Sequence, residues 1–259
     1  MDLGISGRTA IVCASSKGLG RGCAEALAEA GCTVVINGRS ADSLEKTAQE
    51  IRAKTGATVI AVAADVSTRE GQDALLAAAP NPDILVNNNG GPPPKGFRDV
   101  TKDGLIEGVV QNMATPIELV QRVVDGMIAR KFGRIVNITS ASVLTPLTGL
   151  DVSSAARAGL TAFLAGVARE IAHANVTINN ILPGVFDTDR IKTSTSKVAE
   201  MQGISIEEAT KRRLASVPAG RLGTPDEFGK LCAFLASQHA GYITGQNVLI
   251  DGGSFRGSF

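Results

Sequence analysis

One stretch near the N-terminus decides the fold: Thr9-Ala10-Ile11-Val12-Cys13-Ala14-Ser15-Ser16-Lys17-Gly18-Leu19-Gly20. It starts as an uninterrupted apolar run, which is typical of a strand buried on both faces of a sheet. Glycines follow, and a helical apolar period begins at Gly18. A helix that starts there offers free backbone N–H groups and a positive dipole end to an anion. The stretch predicts a site for the phosphates of a dinucleotide, with an ordinary strand-to-helix turn as the alternative.

The rest of the sequence repeats the same alternation of short apolar runs and helical periods. The pattern predicts strands at 9–13, 33–36, 58–63, 83–86, 134–138, 176–182 and 248–250, and helices at 18–30, 40–54, 69–79, 102–130 and 153–173. A further helix is predicted to begin at Thr224-Pro225, with Glu227 completing a capping box. No linker or repeat interrupts the order. We therefore predict a single α/β domain over 1–259, with a Rossmann-type doubly wound parallel sheet of about seven strands.

Composition argues against several classes of function. The chain has 259 residues and a net charge of +1, so it has no basic field for nucleic acid or an anionic membrane. Aromatic residues make up 3%, too few for base-stacking platforms. The four cysteines form no CxxC pair, which predicts no metal site and reduced thiols in the core. The N-terminus has no targeting pattern, and no long apolar window predicts a membrane span, so the expected compartment is the cytoplasm.

The end of the second predicted strand indicates which dinucleotide is bound. An NAD site usually places an acidic residue there for the ribose hydroxyls, whereas a 2′-phosphate requires a cation. The sequence reads Asn37-Gly38-Arg39-Ser40 and contains no acid. Arg39 offers a fork of donors suited to phosphate, and Lys17 can approach the same group. We predict NADP(H), with NAD(H) less favoured; the alternative is that Arg39 only begins a solvated helix.

With these segments placed, the chain resembles the short-chain dehydrogenase/reductase (SDR) family from about Gly7 to Gly253, and within it the 3-oxoacyl-carrier-protein reductases and proteins similar to glucose dehydrogenase. The glycine motif matches at Gly18 and Gly20 but has Cys13 and Ala14 at its first two positions. The other matching segments, in chain order, are Asp65-Val66, Asn87-Asn88-Asn89-Gly90 (with Asn89 in place of Ala), Asn112, Ser140, Pro183-Gly184 with Thr188, Gly220–Pro225 and Gly245–Gly253.

The resemblance implies hydride transfer between a nicotinamide and a carbonyl or alcohol substrate. It assigns the catalytic positions to Asn112, Ser140, Ser153 and Arg157. The positions it assigns to the cofactor, taken with the cations predicted above, are Ala14, Ser16, Lys17, Gly18, Leu19, Gly20, Arg39, Asp65, Val66, Asn88, Asn89, Gly90, Arg157, Pro183, Gly184, Val185 and Thr188.

One departure from the family pattern concerns the proton. The family uses a YxxxK motif, in which Tyr transfers the proton and Lys lowers its pKa and holds the nicotinamide ribose. The aligned segment here is Ser153-Ser154-Ala155-Ala156-Arg157, so Ser stands for Tyr and Arg for Lys. The single tyrosine, Tyr242, lies in a distant segment. Because a Ser hydroxyl is a far weaker acid than a phenol and Arg stays charged, the proton must take another path. The candidates for the proton donor are a water molecule held by Ser153 and Arg157, one of the side chains Lys95, Asp151 and Asp187, or a group of the substrate itself.

Three functions remain open from the sequence. The first is an NADP(H)-dependent oxidoreductase whose proton path does not use Tyr. The second is a nucleotide-binding relative with little reductase activity. The third is a non-redox reaction on the same fold, because sites rather than folds carry function.

The segment after Pro183 matches the family's substrate lid, at about 185–215. Arg190 and Lys192 in it could meet an acidic group of the substrate, and a solvated loop is the alternative. Phe186, Leu144, Leu147 and Leu150 suggest a partly apolar pocket, or core packing instead. The resemblance also implies a homotetramer, or a dimer, formed through the helices at 102–130 and 153–173. His173 is expected to be structural, at a helix end.

Overall fold

The computed structural model describes residues 1–257, so the predicted domain 1–259 is described except for its last two residues. The strands are β1 Thr9–Val12, β2 Thr33–Gly38, β3 Val59–Ala63, β4 Ile84–Asn87, β5 Gly133–Ile138, β6 Val176–Pro183 and β7 Asn247–Ile250. The helices are α1 Gly18–Glu29, α2 Ala41–Thr55, α3 Arg69–Ala78, α4 Lys102–Val109, α5 Thr115–Ala129, α6 Asp151–Ile171, α7 Asp189–Gln202, α8 Ile206–Ala215 and α9 Pro225–Leu235.

All seven strands form one parallel sheet in the order β3-β2-β1-β4-β5-β6-β7. The chain reverses its direction of winding between β1 and β4, which lie side by side in the middle. This is the doubly wound α/β fold predicted from the sequence, which is confirmed. In such sheets, ligands bind beyond the carboxyl ends of the strands at the reversal point.

Apolar side chains from both faces of the sheet form two core layers. One layer packs beneath α1, α2 and α9, and the other beneath α3, α5 and α6. The α1 and α9 helices touch backbone to backbone, because a Cβ on Gly22 would lie 2.1 Å from the Pro225 carbonyl oxygen. Thr224 caps α9 with the predicted capping box, which is confirmed. This close packing fixes α1, and with it the glycine loop, against the sheet.

A row of asparagine side chains crosses four strands in register. The Asn87 carboxamide on β4 donates to Asn137 Oδ1 on β5 over 2.9 Å, and Asn137 donates to Asn180 Oδ1 on β6 over 2.9 Å. Asn180 in turn donates to Asn247 Oδ1 on β7 over 2.8 Å. We call this row the asparagine ladder. Three of its members are buried, so each bond satisfies polar atoms that water cannot reach.

The structure corrects two predictions of local structure. The helix predicted at 102–130 is α4 and α5, joined by one π-helical turn at Val110–Ala114, where Asn112 is buried. The solvated loop considered for the lid segment is wrong, because that segment contains α7 and α8. Both helices are polar around most of their circumference, so they lack the apolar stripe that identifies a helix in a sequence.

The four cysteines are buried and free, as predicted. Burial raises the pKa of the Cys13 thiol to about 12, so this thiol stays protonated at neutral pH. Within residues 1–257, no helix is both long and apolar enough to cross a membrane.

Candidate active site

A cavity of about 480 Å³ opens beyond the carboxyl ends of β1, β2, β3 and β4. It extends from the adenosine side of the predicted dinucleotide site to the start of α6. The predicted site residues that line it are Ala14, Ser16, Lys17, Arg39, Asp65, Val66, Asn89, Gly90 and Ser153. The structure therefore brings the glycine loop and the Ser153 position to one continuous space.

The glycine loop is held in shape by two side-chain amides. Ala14 has a φ of 43°, in the left-handed region, although it is not a glycine. Its N–H donates to Asn37 Oδ1 over 3.2 Å, and its carbonyl accepts from Asn88 Nδ2 over 3.1 Å. A Cβ on Gly20 would lie 2.5 Å from the same carbonyl, so Gly is required there. These contacts give the predicted residues Ala14, Asn88 and Gly20 a structural role beside the cavity.

Two helix N-termini face each other at this loop. The α1 helix begins at Gly18 and continues through Leu19, while α7 follows Thr188. A Cβ on Gly18 would lie 3.6 Å from Thr188 Cγ2, so the two ends nearly touch. Neither Lys17 nor Thr188 caps its helix with its side chain. The free N–H groups and dipoles of two helices therefore favour an anion at one place.

The opposite end of the cavity carries Arg39 and Asp65. Arg39 is exposed and has no ion-pair partner in the part of the chain that the structure describes. The pKa of the Asp65 carboxyl is lowered because the Ser67 hydroxyl and N–H donate to it, with a smaller contribution from the charge of Arg39. Val66 is buried beneath this end. The arrangement leaves the Arg39 guanidinium available for a phosphate.

Ser153 and Arg157 lie one turn apart on α6 and are joined. Arg157 Nε donates to Ser153 Oγ over 3.2 Å, and Arg157 Nη1 donates to the Ile138 carbonyl over 2.7 Å. Arg157 is only 7% exposed and has no carboxylate partner within residues 1–257. Burial, with the positive charge of Arg190 adding to it, lowers the pKa of the Arg157 guanidinium to about 10. At neutral pH this residue is a buried cation that polarises a hydroxyl on the cavity wall.

Asn112 and Arg157 border a second, small cavity of about 20 Å³, large enough for one water molecule. Asn112 Nδ2 donates to the carbonyls of Gly90 and Gly108, each over 3.4 Å. Three buried oxygens around this cavity have no partner among the described residues: Asn112 Oδ1, Asn87 Oδ1 and Thr115 Oγ1. The space beside the buried guanidinium is therefore lined by hydrogen-bond acceptors.

Ser140 and the segment after β6 border neither cavity. Ser140 lies at the end of β5, half-buried, and its Oγ accepts from the Ser142 N–H over 3.1 Å. No hydrogen bond joins it to Ser153 or Arg157 among residues 1–257. Pro183 ends β6, Gly184 and Val185 follow it, and none of the three lines either cavity. A Cβ on Gly184 would lie 2.6 Å from Asp251 Cβ, so this passage is tight.

The apolar pocket suggested by four side chains is only partly present. Phe186 is buried in the core, edge to face with Phe228 at 5.4 Å between ring centroids. Leu144 and Leu147 are exposed, and Leu150 alone of the four lines the large cavity. Tyr242 is fully exposed and borders neither cavity. The tyrosine therefore lies outside the site.

The sequence did not indicate the inner wall of the large cavity. Thr101, Gly104, Glu107 and Gln111 form one wall, along α4 and the π-helical turn. Their signal was a row of polar residues at helical spacing, which a solvated helix face shows equally. Asn89, which stands where the family has Ala, donates from Nδ2 to the Gln111 carbonyl over 3.2 Å. It thereby ties the loop after β4 to the π-helical turn.

In the described residues, no group of three or more His, Cys, Asp or Glu side chains could hold a metal ion. His173 is exposed at the end of α6, where its Nδ1 lies 2.9 Å from the Glu170 carbonyl oxygen.

Comparison with known proteins agrees with this geometry. A family model described as enoyl-(acyl carrier protein) reductase matches residues 13–254. The chain is 32% identical to the 3-oxoacyl-[acyl-carrier-protein] reductase FabG of Aquifex aeolicus, over 98% of this chain and 100% of the relative. It is 31% identical to the NADPH-dependent reductase BacG of Bacillus subtilis, over 97% and 99%.

Among solved structures, L-sorbose reductase from Gluconobacter frateurii, in complex with NADPH and L-sorbose, superposes with a TM-score of 0.93. The two sequences are 29% identical, and the match covers 99% of this chain and 100% of the other. The extent of these matches, together with the seven-stranded sheet, shows that the chain belongs to the short-chain dehydrogenase/reductase family of oxidoreductases.

Proposed function

We propose that this protein is an NADP(H)-dependent reductase that converts a carbonyl group into an alcohol, with 3-oxoacyl compounds and small carbonyl compounds as its substrate classes. The observation that carries the proposal is the single cavity that connects Arg39 to Ser153, with the cation of Arg157 buried behind it. The NADPH named for BacG and for the sorbose reductase supports the choice of cofactor.

The residues present fit the cofactor. Arg39 and Lys17 are suited to the 2′-phosphate, and Asp65 and Val66 lie beside them for the adenine. The paired N-termini at Gly18 and Thr188 are suited to the pyrophosphate. By family resemblance, Arg157 is assigned to the nicotinamide ribose and Pro183–Val185 to the carboxamide. When bound, NADPH supplies the hydride.

In this proposal, Ser153 and Arg157 occupy the positions of the family's Tyr and Lys and stabilise charge rather than transfer a proton. Because Arg157 Nε donates to Ser153 Oγ, the hydroxyl proton is free to donate to a group in the cavity. A hydroxyl polarised by a buried cation stabilises the negative charge that develops on the carbonyl oxygen. By family resemblance, Ser140 is assigned as the second donor, although it lines neither cavity in the structure. Water then supplies the proton, so carbonyl, hydride and proton give the alcohol.

The test is NADPH oxidation with a panel of carbonyl compounds: 3-oxoacyl thioesters, diketones, quinones, aldehydes and keto-sugars. Ser153→Ala is expected to lower kcat/KM by about 10²–10³-fold, the loss typical of one oxyanion donor. Ser154→Ala is the matched control, because Ser154 is buried next to Ser153, its Oγ has no partner among residues 1–257, and it does not line the cavity. We expect Ser154→Ala to leave the rate unchanged.

The same assay separates the other two functions. A protein that binds NADPH and reduces none of the panel, while Ser153→Tyr/Arg157→Lys reduces some of it, is a nucleotide-binding relative and not a reductase. A product formed without net consumption of NADPH indicates a non-redox reaction. Either result refutes the proposed reductase.

We also propose that the protein forms a homotetramer in the cytoplasm and that 185–215, which contains α7 and α8, closes over the substrate. Large apolar side chains are exposed on α4, on the π-helical turn and on α6: Leu105, Ile106, Val110 and Phe163. Such a patch favours association with a second copy. Light scattering on the purified protein measures the oligomeric state, and Phe163→Glu is expected to dissociate it.

A further inference from the structure

Three cations in or beside the large cavity have no acidic partner within 4.0 Å among residues 1–257. Lys95 lines the cavity in the loop after β4, Arg190 lies at the start of α7, and Arg157 is buried behind Ser153. Water stabilises an exposed cation, but burying a cation without a counter-charge costs free energy. Two of the three, Lys95 and Arg190, adjoin the loop after β4 on the cavity wall, and this arrangement points to an anionic ligand.

Arg190 occupies a defined place. Its Nη1 and Nη2 would lie 2.9 and 3.0 Å from a Cβ on Gly91, so the absence of a side chain at Gly91 makes room for the guanidinium. Gly91 itself lines the large cavity. The nearest acids along the chain already have cations, since Asp187 pairs with Lys192 at 3.2 Å and Asp189 with Lys17 at 3.8 Å. Neither of these two carboxylates is thus free for Arg190, whose charge can pair with an anionic group of a ligand.

Arg190 and Arg157 influence each other. The positive charge of Arg190 contributes, after burial, to lowering the pKa of Arg157, so the two guanidinium groups are within electrostatic reach. Like charges within electrostatic reach repel, and an anion placed near them offsets that repulsion. An anion on the Gly91 side of the cavity is therefore attracted by the charge of Arg190 and, from behind Ser153, by that of Arg157.

We propose that the substrate of this enzyme carries its own carboxylate and that Arg190 selects it, which makes the substrate a small oxo acid or the corresponding hydroxy acid. The inference rests on the proposed function. Hydride and proton reduce the carbonyl to the alcohol, and the carboxylate is unchanged by the reaction. Glu107 and Asp151 also line the cavity, so the uncharged, hydroxyl-bearing end of the substrate belongs beside them.

The experiment compares oxo acids with their methyl esters, which keep the carbonyl and remove the charge. 2-Oxobutanoate, acetoacetate and 4-oxopentanoate are each assayed with NADPH beside the corresponding ester. At least one acid is expected to show a kcat/KM about 10–100-fold above that of its ester, as for a charge-assisted hydrogen bond. In Arg190→Gln this preference disappears, mainly through a higher KM. Lys197→Gln, with the same change of charge at an exposed position on the same helix, retains it.

An ester that is reduced as well as its acid, or a preference that survives Arg190→Gln, overturns the proposal. A tenfold weaker binding of NADPH by Arg190→Gln, followed by nicotinamide fluorescence, assigns Arg190 to the pyrophosphate and also overturns it. If no carbonyl compound of either panel is reduced, the reductase function fails separately. In that case, calorimetric titration of the NADP⁺-loaded protein with 4-oxopentanoate still decides. Binding that is lost in Arg190→Gln supports the carboxylate site, and no binding by the unmodified protein overturns it.

Discussion

Ala14 holds the glycine loop in a backbone conformation that favours glycine, and replacing it should stabilise the protein. At a φ of 43°, a residue with a Cβ costs about 1–2 kcal/mol. Glycine removes that cost but makes the unfolded chain more flexible, which costs about 0.4–1 kcal/mol. The bonds from Asn37 and Asn88 to the Ala14 backbone are retained in the variant. We therefore expect Ala14→Gly to raise the free energy of unfolding by about 0.5–1 kcal/mol, or the melting temperature by about 1–2 °C.

The assay is equilibrium unfolding in urea, in which the midpoint should rise while the slope stays constant. Lys131→Gly is a parallel case, because the exposed Lys131 has a φ of 54° and should respond in the same direction. Ala74→Gly is the opposite control, because Ala74 is exposed in the interior of α3 and glycine there costs about 1 kcal/mol. If Ala14→Gly lowers the midpoint as Ala74→Gly does, the reasoning from the left-handed conformation is refuted.

Three further predictions follow from the site and the sheet. Arg39→Gln should weaken NADPH binding about 10–100-fold and leave NADH binding unchanged in a fluorescence titration; equal weakening contradicts the assignment to the 2′-phosphate. Asn137→Leu leaves a donor on Asn87 and an acceptor on Asn180 unsatisfied. Urea unfolding should therefore show a free energy of unfolding lower by about 2–5 kcal/mol, and a decrease below about 1 kcal/mol contradicts the role of the ladder. The pKa of Arg157 is about 10 in the folded protein against 12.5 for an ordinary Arg, so the unfolded chain binds more protons between those values. The difference in stability between the natural protein and Arg157→Met, measured by thermal unfolding, should therefore rise between about pH 9 and pH 11. A difference that stays constant over this range contradicts the prediction.

Much of the fold could be predicted because its signals are local. The apolar run at Thr9–Val12 and the helical period from Gly18 need no knowledge of distant residues. The α7 and α8 helices were missed because polar and charged side chains fill most of their circumference, and tertiary contacts rather than an apolar stripe hold them. Ser205 and Glu208 did carry a signal, since Ser205 caps the Glu208 N–H at the start of α8.

The candidate site was predictable where one motif carries one role and not where distant segments combine. Arg39 at the end of β2 and Ser153 near the start of α6 could be placed on the cavity by position alone. The bond from Arg157 to Ser153 depends on rotamers and burial, which the spacing of two residues on a helix permits but does not require. The place of Arg190 beside Gly91 depends on two loops from different parts of the chain, so no local pattern contains it.

The asparagine ladder has an electrical consequence. Every carboxamide donates in the same direction, from β4 toward β7, so the oxygen end of the row is Asn87 Oδ1. That oxygen borders the same small cavity as Arg157. The backbone of a sheet has little net dipole of its own, and a one-way row of amides adds one. Its negative end lies at the small cavity that Arg157 also borders, and a negative dipole end favours a nearby cation as the C-terminus of a helix does. A carboxylate in its place would neutralise the guanidinium, whereas a neutral amide leaves the charge of Arg157, and its attraction for a substrate anion, intact.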